Sequence, residues 1–157
     1  MKAIDALCHV GITVSDIDRS IDFYKKNFGF KVLGRSVFDQ AFFDAAPTLY
    51  ENIKDTSCPI VLMAAPCGVV IELFQFIPQL DKEFVPWNRV GITHIALATD
   101  SVLDMCPQLR ENGVTFCMEP MQRPDGGYWV FLRDPDGNMV ELMEPFVIRT
   151  AEEEIPE

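Results

Sequence analysis

Histidine is scarce in this chain: only His9 and His94 occur among 157 residues. Any chemistry that needs imidazole must therefore use these two. Positive charge is also sparse, with 13 Lys and Arg against 24 Asp and Glu and a formal net charge of −11. No basic stripe appears, so nucleic acid and anionic lipid surfaces are excluded as partners on electrostatic grounds. No apolar run approaches the roughly 20 residues of a membrane span. The chain enters "IDALCHVGITV" almost at once, leaving no room for a signal peptide, and a cytoplasmic protein is expected. Cysteine is present but unpatterned. Five residues (Cys8, Cys58, Cys67, Cys106, Cys117) form no CxxC motif, and the odd count argues for reduced thiols acting as small core hydrophobes.

What is there reads twice. In the first half an apolar strand, Leu7 to Val14, precedes a helix capped by Ser15 or Asp16, with an apolar face of Ile17, Ile21, Tyr24 and Phe28 and a stop at Gly29. Strands are expected at "FKVLGRSVF", "CPIVLMAAP" and "GVVIELFQF". The second half repeats this order. "GITHIALAT" is a strand, Asp100 or Ser101 caps a helix carrying Val102, Met105 and Leu109, and "VTFCMEPMQ", "GYWVFLRD" and "NMVELMEP" follow as strands. The turn "DPDG" joins the last two. The expectation is an α+β protein of two βαβββ modules, residues 5–77 and 90–146. A proline-containing connector spans 78–89 and an acidic tail spans 147–157, all forming one domain over 1–157.

The chemically expressive residues fall at matching points. Each module begins with its histidine (His9, His94) and ends with a glutamate on its last strand (Glu72 in "VVIELF", Glu141 in "NMVELM"). Aliphatic residues flank all four, so strand alternation turns the four away from the helix-covered face. A single histidine on an apolar strand is more often a satisfied core residue than a ligand. Four matched placements that use every histidine point instead to a metal site, because imidazoles and carboxylates on an enclosed face need a cation or one another.

At these residues the chain resembles the vicinal oxygen chelate superfamily, which contains glyoxalase I, methylmalonyl-CoA epimerase, extradiol dioxygenases and the fosfomycin and bleomycin resistance proteins. The segments that carry the resemblance are "HVGITVSDIDRSIDFYKKNFGF", "IELF", "THIAL" and "FLRDPDGNMVEL", and it covers about residues 5–146. It implies paired βαβββ modules forming a cup-shaped mixed sheet around one divalent metal ion (Zn, Ni, Co, Mn or Fe), with His9, Glu72, His94 and Glu141 as ligands. It further implies an isomerase or lyase of glyoxalase I or epimerase type, working by proton transfer through a metal-stabilised enolate of a small oxygenated carbon acid. Glu141 and Glu72 become the candidate acid/base residues. A homodimer is expected beside the small-molecule substrate.

The rivals are separable on the same resemblance. A ring-cleaving dioxygenase needs a further histidine and a tyrosine before the last glutamate, but no histidine is left and Phe131 stands at the tyrosine position. The glutathione-holding arginine and asparagine of bacterial glyoxalase I correspond to Thr13 and Phe76, so an ionic clamp has become apolar. The contrasting class is a non-enzymatic ligand-binding or resistance-type protein of the same fold. The long stretch over residues 38–59, with Phe38, Phe42, Phe43 and Tyr50, is expected as a lid, a pocket wall or a dimer contact.

Overall fold

The computed structural model describes residues 7–81, 87–88 and 90–145. Half of the expected connector (82–86 and 89) and the whole acidic tail lie outside the described residues. The chain divides into two compact units, Met1–Val85 and Pro86–Glu157.

The first unit contains β1 (Val10–Thr13), α1 (Ile17–Phe28), β2 (Lys31–Phe38), α2 (Gln40–Ala45), β3 (Cys58–Ala64) and β4 (Val70–Phe74). Helix α1 starts where Asp16 accepts the Arg19 N–H at 3.0 Å. It carries Asp18 in its first turn and Lys25 and Lys26 in its last, each sign opposing the local helix dipole. Gly29, at φ +70°, ends it in a left-handed conformation that other residues adopt only at a cost. The buried stripe Ile17, Ser20, Ile21 and Tyr24 follows the helical repeat and faces the sheet. Strand order is β1-β4-β3-β2, with β1 parallel to β4 and the other pairings antiparallel. Val61, Met63, Ile71 and Leu73, all at most 2% exposed, supply the sheet's side of this core. Each such side chain contributes about 1.5–3 kcal/mol by leaving water.

The second unit contains β5 (Ile95–Ala98), α3 (Val102–Glu111), β6 (Thr115–Phe116), β7 (Met121–Gln122), β8 (Tyr128–Arg133) and β9 (Met139–Met143). Its strand order is β5-β9-β8-β6, with β7 also pairing β8. Ser101 rather than Asp100 caps α3, accepting the Asp104 N–H at 3.2 Å. Val102, Cys106 and Leu109 pack in the same way as the first helix, and Val130, Leu132, Val140 and Leu142 are at most 1% exposed on the sheet side. The "DPDG" turn is held by Asp134, whose Oδ1 accepts the N–H groups of Asp136 and Asn138 while Oδ2 accepts the Asn138 amide.

The structure corrects three expectations and adds a helix. The strand expected over "VTFCMEPMQ" is broken into β6 and β7, where Pro120 removes a ladder donor between them. The stretch over 38–59 contains a short helix, α2, capped by Asp39 through the Phe42 N–H. The histidines stand just ahead of strands β1 and β5 rather than within them. Only Cys58 and Cys106 are buried thiols; Cys8, Cys67 and Cys117 are exposed. Among the described residues, no helix is long and apolar enough to cross a membrane.

Candidate metal centre

Parallel pairing of β1 with β4 sets Gly11 opposite Glu72. Alternation then turns His9, two residues earlier, to the same face as Gly11. The His9 imidazole reaches across so that Nε2 lies 3.2 Å from Glu72 Oε2. In the second unit the parallel pairing of β5 with β9 sets Ala96 opposite Glu141. His94, again two residues earlier, places Nε2 3.2 Å from Glu141 Oε2. Two sequence segments with little identity thus build one geometry twice. The facing residue is small in both (Gly11, Ala96).

The side chains are half-covered: 43% and 18% exposed for His9 and Glu72, and 29% and 15% for His94 and Glu141. Thr93 Oγ1 lies 2.8 Å from His94 Nδ1. That contact fixes the ring plane and directs Nε2 toward Glu141, the arrangement by which an outer hydrogen bond orients a ligating imidazole.

The donor chemistry fits a divalent cation. Imidazole nitrogen and carboxylate oxygen are borderline-to-hard donors suited to Zn, Ni, Co, Mn or Fe. Bonds of about 2.0–2.2 Å put two neighbouring ligand atoms about 3.0 Å apart at a right angle and about 3.4 Å apart at a tetrahedral angle. The observed 3.2 Å in each pair falls between those limits. Within the described residues of either unit, no group of three or more His, Cys, Asp or Glu forms such a cluster, so each unit presents two donors.

Aromatic rings surround both pairs. A Cβ placed on Gly11 would come within 3.2 Å of the Phe74 ring, so that ring lies over the residue paired with Glu72. Phe76 stacks 6.4 Å from Phe74 and 6.1 Å from Phe43. Phe43, Cys58 and Ile60 are buried together, with Phe38, Tyr50, Ile53, Phe74 and Phe76 packed against them. The 38–59 stretch therefore packs on the site-bearing face of its own unit. Thr13 is exposed on that face, one alternation from Gly11. In the second unit Phe131 pairs with Glu141 in register and meets the His94 ring edge-on at 5.0 Å. Trp87 closes on both, 5.9 Å from His94 and 5.3 Å from Phe131. Cys58 borders the first cluster, and burial pushes its thiol up to about 11, which keeps it protonated and inert.

Some residues that build the site escape a reading by residue type alone. Gln75 and Glu144, each three positions beyond a pair glutamate, accept the first N–H of their unit's helix: Ile17 N to Gln75 Oε1 at 3.0 Å, and Val102 N to Glu144 Oε1 at 3.1 Å. Their shared offset in "IELFQ" and "VELME" was the available signal. The "RPDGG" segment is a hairpin connection, with Arg123 N donating to Gly127 O at 2.7 Å and the Arg123 guanidinium held by Asp125 and the Glu144 carbonyl.

A strand-helix-sheet unit that occurs twice, with one histidine–glutamate pair in each, defines a duplicated α+β protein. The chain belongs to the glyoxalase/bleomycin resistance protein/dioxygenase superfamily, whose family model matches residues 6–142. A lactoylglutathione lyase of Escherichia coli is 31% identical over 142 residues, covering 88% of this chain and 91% of that protein. A glyoxalase family protein of Bacillus cereus shares the fold at a TM-score of 0.76 and 20% identity, covering 91% of this chain and 95% of the other. The trypanothione-dependent glyoxalase I of Leishmania major superposes with a TM-score of 0.61 at 25% identity, covering 90% and 87% of the respective chains.

Proposed function

We propose that the chain is a metal-dependent lyase or isomerase of glyoxalase type, moving a proton on a small carbon acid that presents two neighbouring oxygens. His9, Glu72, His94 and Glu141 hold one divalent cation in this reading. The observation that carries it is the duplicated pair: the same register, the same offset and the same 3.2 Å separation in both units. Relatives named lactoylglutathione lyase, at about this length, point the same way.

When bound, the cation supplies Lewis acidity that makes a C–H beside a chelated carbonyl easier to ionise. The remaining work falls to the chain's own side chains. The Nε2 atoms of His9 and His94 hold the cation, and Thr93 keeps the His94 ring turned toward it. A carboxylate oxygen of Glu141 or Glu72 takes the proton and returns it to the same or the neighbouring carbon. A positioned general base of this kind is worth about 10²–10⁴-fold. The Glu72 and Glu141 side chains are only 18% and 15% exposed, and this partial exclusion of bulk water strengthens the local field on the reacting group. The scheme consumes no oxygen and uses no redox cofactor.

Two measurements test this. Protein prepared without chelator should hold one divalent ion per chain, and His94→Ala should lose most of it; equal occupancy in both proteins refutes the ligand set. In heavy water, deuterium should enter the carbon beside the carbonyl of a responsive compound from a panel of 2-oxo and 2-hydroxy carbonyl compounds and thioesters. Glu141→Gln should abolish that exchange while lowering metal content less than His94→Ala does. Metal-loaded protein that binds a panel compound tightly yet never exchanges its proton is a binding protein and not an enzyme. Oxygen uptake with a catechol makes it a dioxygenase.

A further inference from the structure

The first unit's site face is unusual in what lies beside the His9–Glu72 pair. Strand pairing assigns to this face Gly11 and Thr13 on β1, Glu72 and Phe74 on β4, Ile60 and Leu62 on β3, and Gly34 and Ser36 on β2. Besides His9, the strand positions of the face carry one cation. That is Lys31, in register with Ala64 at the far end of β2. The Phe74 ring reaches back over Gly11, so it borders the space directly over the pair. It is backed by Phe38 at 6.4 Å and Phe76 at 6.4 Å, and these rest on Phe43, which is 1% exposed. A ring fixed from behind in this way is a preformed flat wall, with little ordering left to do on binding. In the second unit the pair is likewise bordered by Phe131 and Trp87. Arg133 Nη1 is bonded to the Gly137 carbonyl, and Arg123 is engaged with Asp125 and the Glu144 carbonyl.

Resting on the metal-dependent reading above, we propose that the substrate carries a ring-sized apolar group directly beside its chelating oxygens and that this group seats on Phe74. The substrate class is then an aryl- or comparably substituted 2-oxo or 2-hydroxy carbonyl compound. A small wall of rings discriminates by area and by edge-to-face contact.

Hydroxamates are suitable probes, because they present two adjacent oxygens to a cation and differ only in their substituent. Binding of benzohydroxamate and acetohydroxamate to the zinc- or nickel-loaded full chain is measured by calorimetry, with metal-free protein as the blank. Benzohydroxamate should bind about tenfold more tightly or better, roughly the worth of one good ring contact. The ratio should fall to within about threefold of unity in Phe74→Leu, which preserves bulk while removing the ring. Gly11→Ala reads the same contact independently, because its methyl group would stand 3.2 Å from the Phe74 ring and narrow the space beside it. Equal affinity for both hydroxamates, with binding that still requires metal, overturns this inference and leaves the proposed function standing. A phenyl preference that survives in both variants also overturns it, since the ring would then be held elsewhere. Absence of metal-dependent binding by either probe removes the proposed function and this inference with it.

Discussion

Glu144 and Glu141 stand three residues apart at the end of one chain segment, yet the structure gives them opposite work, and Glu144→Gln separates the two. The Glu144 carboxylate accepts two backbone N–H groups, Val102 at 3.1 Å and Tyr128 at 2.9 Å, both partly buried. It thereby ties the start of α3 to the start of β8 beside the end of β9. A glutamine offers one carbonyl oxygen, so one of the two N–H groups must face an NH2 group and lose its acceptor. The surviving bond becomes neutral and loses its charge assistance. A hydrogen bond to a charged group contributes about 1.5–3 kcal/mol, and an orphaned partly buried donor costs a similar amount. Retaining one neutral bond leaves a net loss of about 2–3 kcal/mol, or about 4–12 °C in Tm for a chain of this size. Urea unfolding of metal-free wild type and variant, followed by circular dichroism, should show a lower midpoint with an unchanged slope. Metal content should be that of wild type, in contrast to Glu141→Gln. A loss below about 0.5 kcal/mol, or a fall in metal content equal to that of Glu141→Gln, refutes the division of roles.

Two more outcomes follow from the packing. A thiol reagent should modify Cys8, Cys67 and Cys117 in the native protein, leaving the buried Cys58 and Cys106 until denaturant is added; mass mapping that finds Cys58 labelled first would contradict its burial. Phe43→Ala removes the 1% exposed centre of the aromatic cluster and should cost about 3–5 kcal/mol, with protease cleavage concentrating in the segment around α2.

Much of this fold was legible because it rests on local rules. Asp16 and Ser101 cap where a side-chain oxygen three residues ahead of a free N–H dictates, and Gly29 ends α1 where only a left-handed residue can. The alternation in "VVIELF" and "NMVELM" correctly separated Glu72 and Glu141 from the buried Ile71, Leu73, Val140 and Leu142. What local pattern did not carry was whatever depends on a partner far along the chain. Nothing near Phe74 announces that its ring covers Gly11, which lies 63 residues earlier. Nor does the apolar run around Phe42 and Phe43 reveal that it folds onto β3 and β4 of the same unit. The break between β6 and β7 was missed for a similar reason. Val114 to Cys117 have the side chains of a strand, and the missing donor at Pro120 ends that pattern before Met121.

The two repeats also show where duplication has been kept and where it has been relaxed. The His–Glu separation is 3.2 Å in both repeats, and the strand ends match as well: Val14 N bonds Phe74 O at 2.8 Å, and Thr99 N bonds Met143 O at 2.9 Å. Three residues beyond each pair glutamate, a side-chain oxygen accepts the first helical N–H. That oxygen is neutral in the first repeat, as Gln75, and charged in the second, as Glu144. The charge is matched locally. Arg123 donates to the Glu144 carbonyl at 2.7 Å and to Asp125, and the negative charges on Asp125, Glu144 and Glu141 together hold its guanidinium protonated. The first repeat has a neutral helix tie and a wall of rings on its site face; the second has an acidic tie balanced by an arginine clasp. Gln75 lies between Phe74 and Phe76 in the chain, so alternation turns its side chain to the opposite, helix-covered face, where Oε1 accepts the Ile17 N–H. The helix ends ask for the same oxygen in both repeats, and the second repeat asks for one more: Glu144 Oε2 also accepts the Tyr128 N–H at 2.9 Å, a second acceptor oxygen that a carboxylate offers and a glutamine amide does not.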